Sequence, residues 1–134
     1  MIVVDASVLA PALSDDSIEG DWLRQRLRGQ TVTAPELIDL EVQSVLRSGV
    51  RRGLLDERRA RQAWTDLASA PLQRAPHRPL LPRAWELRDN VTTYDAAYVA
   101  LAEVLGATLL TADSTLASAP GIRCEVDVVQ LPPS

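Results

Sequence analysis

The 134-residue chain contains no lysine; all 14 of its basic residues are arginine. That absence removes phosphate-cradling GK[ST] loops, Schiff-base chemistry and lysine-assisted phosphoryl transfer together. Histidine occurs once, at His77, between Pro76 and Arg78. A zinc site built from histidines is therefore excluded, as is a triad that needs histidine beside an activated serine. The single cysteine, Cys124, has no partner for an internal disulfide, which suits a reducing compartment. Phenylalanine is missing, and two tyrosines and three tryptophans are too few for an aromatic platform on which bases could stack. No apolar run nears the roughly 20 residues needed to cross a bilayer. The chain opens directly on strand-like residues, without a charged-then-apolar leader. The expectation is a cytoplasmic protein with no membrane segment.

Positive charge is also scarce overall. The formal net charge is −4 and the isoelectric point near 4.9. A protein that holds nucleic acid through its global charge is basic, so any such contact here must be local.

What is present is enough apolar material, 46% of residues, for one core and one domain over residues 1–134. The periodicity predicts strands at 2–5, 31–34, 72–75, 107–111 and 126–131. Helices are predicted at 6–13, 16–28, 35–52, 56–69, 82–90, 95–105 and 113–118. Pro35 is expected in the first turn of the third helix. Ile18, Trp22, Leu23 and Leu27 mark the apolar side of the second helix, and Ala60, Ala63, Trp64 and Leu67 that of the fourth. Short apolar strands alternating with helices argue for an α/β fold with a parallel sheet covered on both faces.

Four acidic residues stand where solubility alone does not explain them. Asp5 ends the apolar run Ile2-Val3-Val4, and Asp113 closely follows Leu109-Leu110. Asp95 opens an otherwise nearly uncharged helix, and Glu41 lies one turn from both Leu37 and Val45, where its helix should meet the core. Asp5 and Asp113 could each be an N-cap, and Asp95 could serve the helix dipole. Glu41 has no such excuse: it needs either an arginine or a polar site. Ligands of open α/β sheets bind outside the carboxyl ends of the strands, where three of these acids are expected. Two carboxylates about 5 Å apart repel by about 3 kcal/mol at an effective dielectric near 20. Gathered together they call for a hard divalent cation with oxygen ligands, Mg²⁺ or Mn²⁺.

A strand-then-Asp start also occurs in aspartyl-phosphate enzymes, but those want a second aspartate at position 7 and a downstream lysine. Position 7 is Ser7 and lysine is absent. A D-x-S-x-S adhesion-type metal site fails at Leu9.

The segments IVVDASV at 2–8, PELIDLEVQSVL at 35–46 and TTYDAAYVALAEVLGATLLTAD at 92–113 resemble PIN-domain ribonucleases, specifically VapC-type toxins of VapBC toxin–antitoxin modules. The similarity spans essentially the whole chain. It implies a PIN-like α/β fold, with a central, mostly parallel sheet of about four or five strands flanked by helices on both faces. It implies metal-dependent hydrolysis of RNA phosphodiesters by a Mg²⁺- or Mn²⁺-dependent endoribonuclease, leaving 5′-phosphate and 3′-hydroxyl ends. Asp5, Glu41, Asp95 and Asp113 match the family's four catalytic, metal-binding acids in order, and Ser7 its supporting hydroxyl. The implied partners are an RNA substrate, a cognate VapB-type antitoxin and a second copy of the chain in a homodimer. Between residues 47 and 61 six arginines face only Asp56 and Glu57, so Arg47, Arg51 and Arg52 are candidate RNA contacts. The rival expectation is a PIN-like module that binds RNA or protein without cutting.

Overall fold

The computed structural model describes residues 1–130. Its strands are β1 (Ile2–Val4), β2 (Val32–Pro35), β3 (Leu72–Ala75), β4 (Thr108–Thr111) and β5 (Val126–Val128). They pair in parallel throughout, in the order β3-β2-β1-β4-β5. The expected parallel α/β sheet is therefore present. Every residue of β1 is buried, as are three of the four in β4, so alternation gives way to continuous burial. That is the pattern of a sheet covered on both faces.

The helices are α1 (Ala6–Ser14), α2 (Ile18–Leu27), α3 (Ile38–Arg51), α4 (Glu57–Ser69), α5 (Leu81–Glu86), α6 (Thr93–Leu105) and α7 (Ser114–Ala117), with a 3₁₀ turn Arg78–Leu80 leading into α5. Helix α6 is the central one: Ala96 to Ala102 are all buried, and four of those seven are alanines that admit close neighbours. Gly106, left-handed at φ 61°, closes it and lets the chain turn into β4. No helix among the described residues is long and apolar enough to cross a membrane.

Four expectations need correction. Pro35 ends β2 instead of starting the third helix, which begins at Ile38. Pro35 pairs in register with Ala75, and the next amide, Glu36, donates to the Ala75 carbonyl at 2.8 Å; a proline with no N–H fits that last strand position. The last strand stops at Val128, and the part of its expected span at Leu131 lies outside the described residues. Helix α2 docks through only half of its expected apolar stripe: Ile18 is 70% exposed and Trp22 is also exposed, while Leu23 is buried and Leu27 packs partly against the core. Polar contacts add to that packing. Arg24 donates to the carbonyls of Ala12 and Asp15, and Gly20 passes so near the Asp15 carbonyl that no Cβ would fit. Trp64, expected on the packed side of α4, is likewise largely exposed.

Candidate active site

In this strand order the chain runs outward from β1 to β3 on one side, then crosses to β4 on the other. The direction reverses between β1 and β4, and a crevice opens at the carboxyl ends of such a pair. Asp5 directly follows β1 and Asp113 stands two residues beyond β4. The acids distant in sequence thus meet at the place where the topology makes a binding crevice.

Asp5 is buried, 7% exposed, and caps α1. Its Oδ1 accepts from the Ser7 amide at 3.1 Å and the Ser7 hydroxyl at 2.5 Å. Its Oδ2 accepts from the Thr111 hydroxyl at 2.5 Å. Each hydroxyl has one proton and directs it to Asp5, so its lone pairs remain for backbone donors. Ser7 Oγ accepts from the Ala112 amide at 2.9 Å, and Thr111 Oγ1 from the Asp113 amide at 3.1 Å. The two hydroxyls bridge the end of β1 to the end of β4 and fix both oxygens of Asp5. Ser7 stands where the sequence placed a supporting hydroxyl. Thr111 was missed, being read only as a strand residue; its signal was a polar side chain ending an apolar strand, two positions before an aspartate.

The other acids also sit at helix N-termini. Asp113 caps α7, accepting from the Thr115 amide and hydroxyl at 2.9 and 2.7 Å. Asp95 lies in the first turn of α6, where Thr92 Oγ1 accepts its amide at 3.2 Å. Glu41 lies in the first turn of α3. The N-cap and dipole readings are therefore real at these positions, and each helix end offsets negative charge by about 0.3–1 kcal/mol. That is less than the repulsion such a group generates, and two of the carboxyl groups, Glu41 and Asp95, carry its mark beside the larger effect of burial. Burial raises the pKa of Asp5, against the hydrogen bonds from Ser7 and Thr111. Burial raises Glu41 against the opposing pull of the Tyr98 hydroxyl, and the charges of Asp95 and Asp5 add to the rise. Burial raises Asp95, with Asp5 and Asp113 adding. Asp5 and Asp95 thus act on Glu41, and Asp5 and Asp113 on Asp95, which places the four near one another.

Glu41 differs from expectation in detail. The buried row of α3 is Ile38, Val42 and Leu46, and Val45 is 45% exposed. Glu41 therefore flanks that row, half-buried, and faces Tyr98 on α6. No arginine reaches it, nor any of the other three acids, in an ion pair among the described residues. Elsewhere in the fold acids are paired, as Asp39 is with Arg74 and Glu103 with Arg83. Among the described residues no three Asp, Glu, His or Cys side chains close around one point tightly enough to hold an ion as they stand.

Arg47, Arg51 and Arg52 are exposed and outside any ion pair among the described residues, whereas Arg59 binds Asp16 and Arg61 meets Glu57. Along α3, Arg47 and Arg51 stand about 9 and 15 Å from Glu41 at 1.5 Å per residue. Arg88 stacks on Trp85, 4.6 Å from the ring centroid, and does not join the acids. An apolar cavity of about 480 Å³, lined by Leu9, Leu13, Leu27, Val32 and Leu72, lies at the amino ends of β2 and β3, away from the acids.

A parallel sheet with acids gathered at its switch point is the arrangement of a PIN domain, and residues 2–122 match that family. Ribonuclease VapC1 of Mycobacterium tuberculosis is 43% identical over 129 residues, covering 96% of this chain and 97% of the relative. Ribonuclease VapC12 of the same organism is 40% identical over 129 residues, covering 96% and 99%. Among solved structures, M. tuberculosis VapC20, a Sarcin-Ricin loop cleaving toxin, superposes with a TM-score of 0.67 at 18% identity, covering 92% of this chain and 97% of that one. VapBC2 from Rickettsia felis, bound to a DNA fragment from its promoter, gives 0.66 at 16% identity, covering 94% and 98%. The chain belongs to the PIN-domain family, in its VapC branch.

Proposed function

We infer that this chain is a ribonuclease of the VapC kind: it hydrolyses RNA phosphodiester bonds, depends on Mg²⁺ or Mn²⁺, and acts as the toxin of a toxin–antitoxin pair. The observation that carries the reading is a set of four acids in which Asp95 and Asp5 raise the pKa of Glu41, and Asp5 and Asp113 that of Asp95, with no basic partner among the described residues, in a chain 43% identical to a named ribonuclease. The residues fit a hard cation. Every donor is a carboxylate or hydroxyl oxygen, with no nitrogen or sulfur ligand, and the buried Tyr98 hydroxyl beside Glu41 has no hydrogen-bond partner. Asp5 and Asp95 would hold the ion, with Glu41 and Asp113 completing its surroundings.

When bound, the cation would supply charge neutralisation, polarisation of a phosphate oxygen and a lowered pKa for water. The chain's own part is positional. Ser7 and Thr111 hold both Asp5 oxygens, so that carboxylate needs little reorganisation as charge develops. Glu41, beside the ion instead of holding it, would be the carboxylate free to accept a proton from an attacking water. Arg47, Arg51 and Arg52 would contact RNA phosphates along α3, which localises positive charge on an acidic protein.

A VapB-type antitoxin is the proposed protein partner. A groove of about 830 Å³ starts at Ser7 beside the site and runs past Pro11, Val45, Leu54 and Asp16, mixing apolar and acidic walls. Such walls suit an apolar segment carrying arginine. Homodimerisation is proposed as well, supported by exposed Leu81, Trp85 and Tyr94 on α5 and α6. Cleavage of RNA with and without Mg²⁺ or Mn²⁺, for wild type, Asp5→Asn and Asp95→Asn, tests the enzymatic reading. Metal-dependent cutting lost in both variants is the expected result. RNA binding without cutting in any condition would favour a non-catalytic module.

A further inference from the structure

We propose that Tyr98 is a positioning residue: with a divalent cation in the site, its hydroxyl donates to the Glu41 carboxylate and holds that carboxylate facing Asp5 and Asp95. This rests on the metal-dependent reading given above.

Tyr98 lies three residues after Asp95, one turn along the same face of α6. It is 1% exposed, among the largest fully buried side chains. Among the described residues its hydroxyl is the buried side-chain polar atom left without a hydrogen bond. Buried donors without an acceptor are costly, and a phenylalanine would fill the same space at no such cost. A hydroxyl in that position needs an acceptor in some state of the protein.

The groups around it are acids. Burial holds the phenol far above its ordinary pKa, and Glu41, then Asp5 and Asp95, push it further the same way. It therefore keeps its proton and serves as a donor. Glu41 is the acceptor at hand: its carboxylate lies near enough to act on the hydroxyl as a hydrogen-bonding group does, yet the contact falls short of the geometry of a formed hydrogen bond. Asp5, by contrast, is already gripped on both oxygens by Ser7 and Thr111. Of the two, only the Asp5 carboxylate is fixed in advance. Glu41 has a longer side chain and no other donor among the described residues, so Tyr98 is the group able to orient it. Partners that orient a metal's ligands typically carry about tenfold or more of its affinity.

The test is Mn²⁺ binding, followed by the electron paramagnetic resonance signal of free Mn²⁺, for wild type, Tyr98→Phe, Glu41→Gln and the double variant. Thermal melts in EDTA accompany it. Tyr98→Phe is expected to weaken Mn²⁺ binding about tenfold, while its melt in EDTA equals or exceeds that of wild type. In the Glu41→Gln background the same substitution is expected to change binding little. Unchanged Mn²⁺ affinity in Tyr98→Phe, an equal loss in both backgrounds, or a much lower melt in EDTA would each overturn the proposal. If wild type itself binds no Mn²⁺, the metal-dependent reading falls and takes this inference with it.

Discussion

Replacing Thr111 by valine removes one oxygen from a fully buried side chain and keeps its shape. That hydroxyl donates to Asp5 Oδ2 at 2.5 Å and accepts the Asp113 amide at 3.1 Å. A hydrogen bond to a charged group is worth about 1.5–3 kcal/mol, and the stranded amide adds to the loss. Asp5 keeps both Ser7 donors, and valine is easier to bury than threonine, so the net cost should be about 2 kcal/mol. For a chain of this size that lowers the melting midpoint by roughly 6–10 °C. The assay is urea unfolding in EDTA at about pH 7.5, repeated near pH 4. Asp5, whose pKa burial has raised, gains its proton as pH falls, the bond becomes a neutral one, and the cost should drop to about 1 kcal/mol. Thr111→Ser keeps the hydroxyl and should cost only about 1 kcal/mol for its lost methyl. A Thr111→Val protein within about 0.5 kcal/mol of wild type near pH 7.5 would refute the claim that this hydroxyl holds Asp5.

Asp95→Asn should stabilise the metal-free protein while abolishing cleavage. Burial and its acidic neighbours raise the Asp95 pKa in the fold, so its contribution is fully present below the unfolded value and lost as pH rises through the folded one. The variant's advantage should therefore be absent below about pH 4 and reach roughly 1 kcal/mol near pH 7, the size of like-charge repulsion at a half-exposed site less the lost helix-dipole term. Unfolding curves in EDTA across that range check it; a destabilised variant at neutral pH would contradict it. Gly20→Ala should destabilise by roughly 2–3 kcal/mol. Its Cβ would lie 1.8 Å from the Asp15 carbonyl oxygen, and relief requires moving α2 off the contacts made by Arg24. Equal urea midpoints for variant and wild type would contradict that packing.

The acids stood out in the sequence because each interrupts an apolar pattern, although only Glu41 lacked an ordinary helix-start reading. A carboxylate ending Ile2-Val3-Val4, or lying near the apolar row of α3, conflicts with the pattern around it. The parallel sheet was legible for a similar reason: β1 and β4 are short, uninterrupted apolar runs, each joined closely to a helix. The failures have physical causes. Pro35 matches two rules, the first turn of a helix and the end of a strand, and only pairing with Ala75 decides between them. Trp22 and Ile18 match helical spacing, but α2 docks partly by Arg24 on carbonyl groups, which leaves no periodic trace. Tyr98 was invisible as a site residue because tyrosine in an apolar helix is ordinary, and Thr111 left only the faint signal of a polar side chain ending an apolar strand. Their roles arise from partners 57 and 106 positions away, Glu41 and Asp5.

Calorimetric titration of Mn²⁺ into the purified protein, set against Asp5→Asn, Glu41→Gln, Asp95→Asn and Asp113→Asn, probes the whole account at its base. Binding by wild type, weakened about tenfold or more by each single substitution, is the predicted result. No binding by wild type, or binding indifferent to all four changes, would contradict the idea that these carboxylates form one centre completed by a cation.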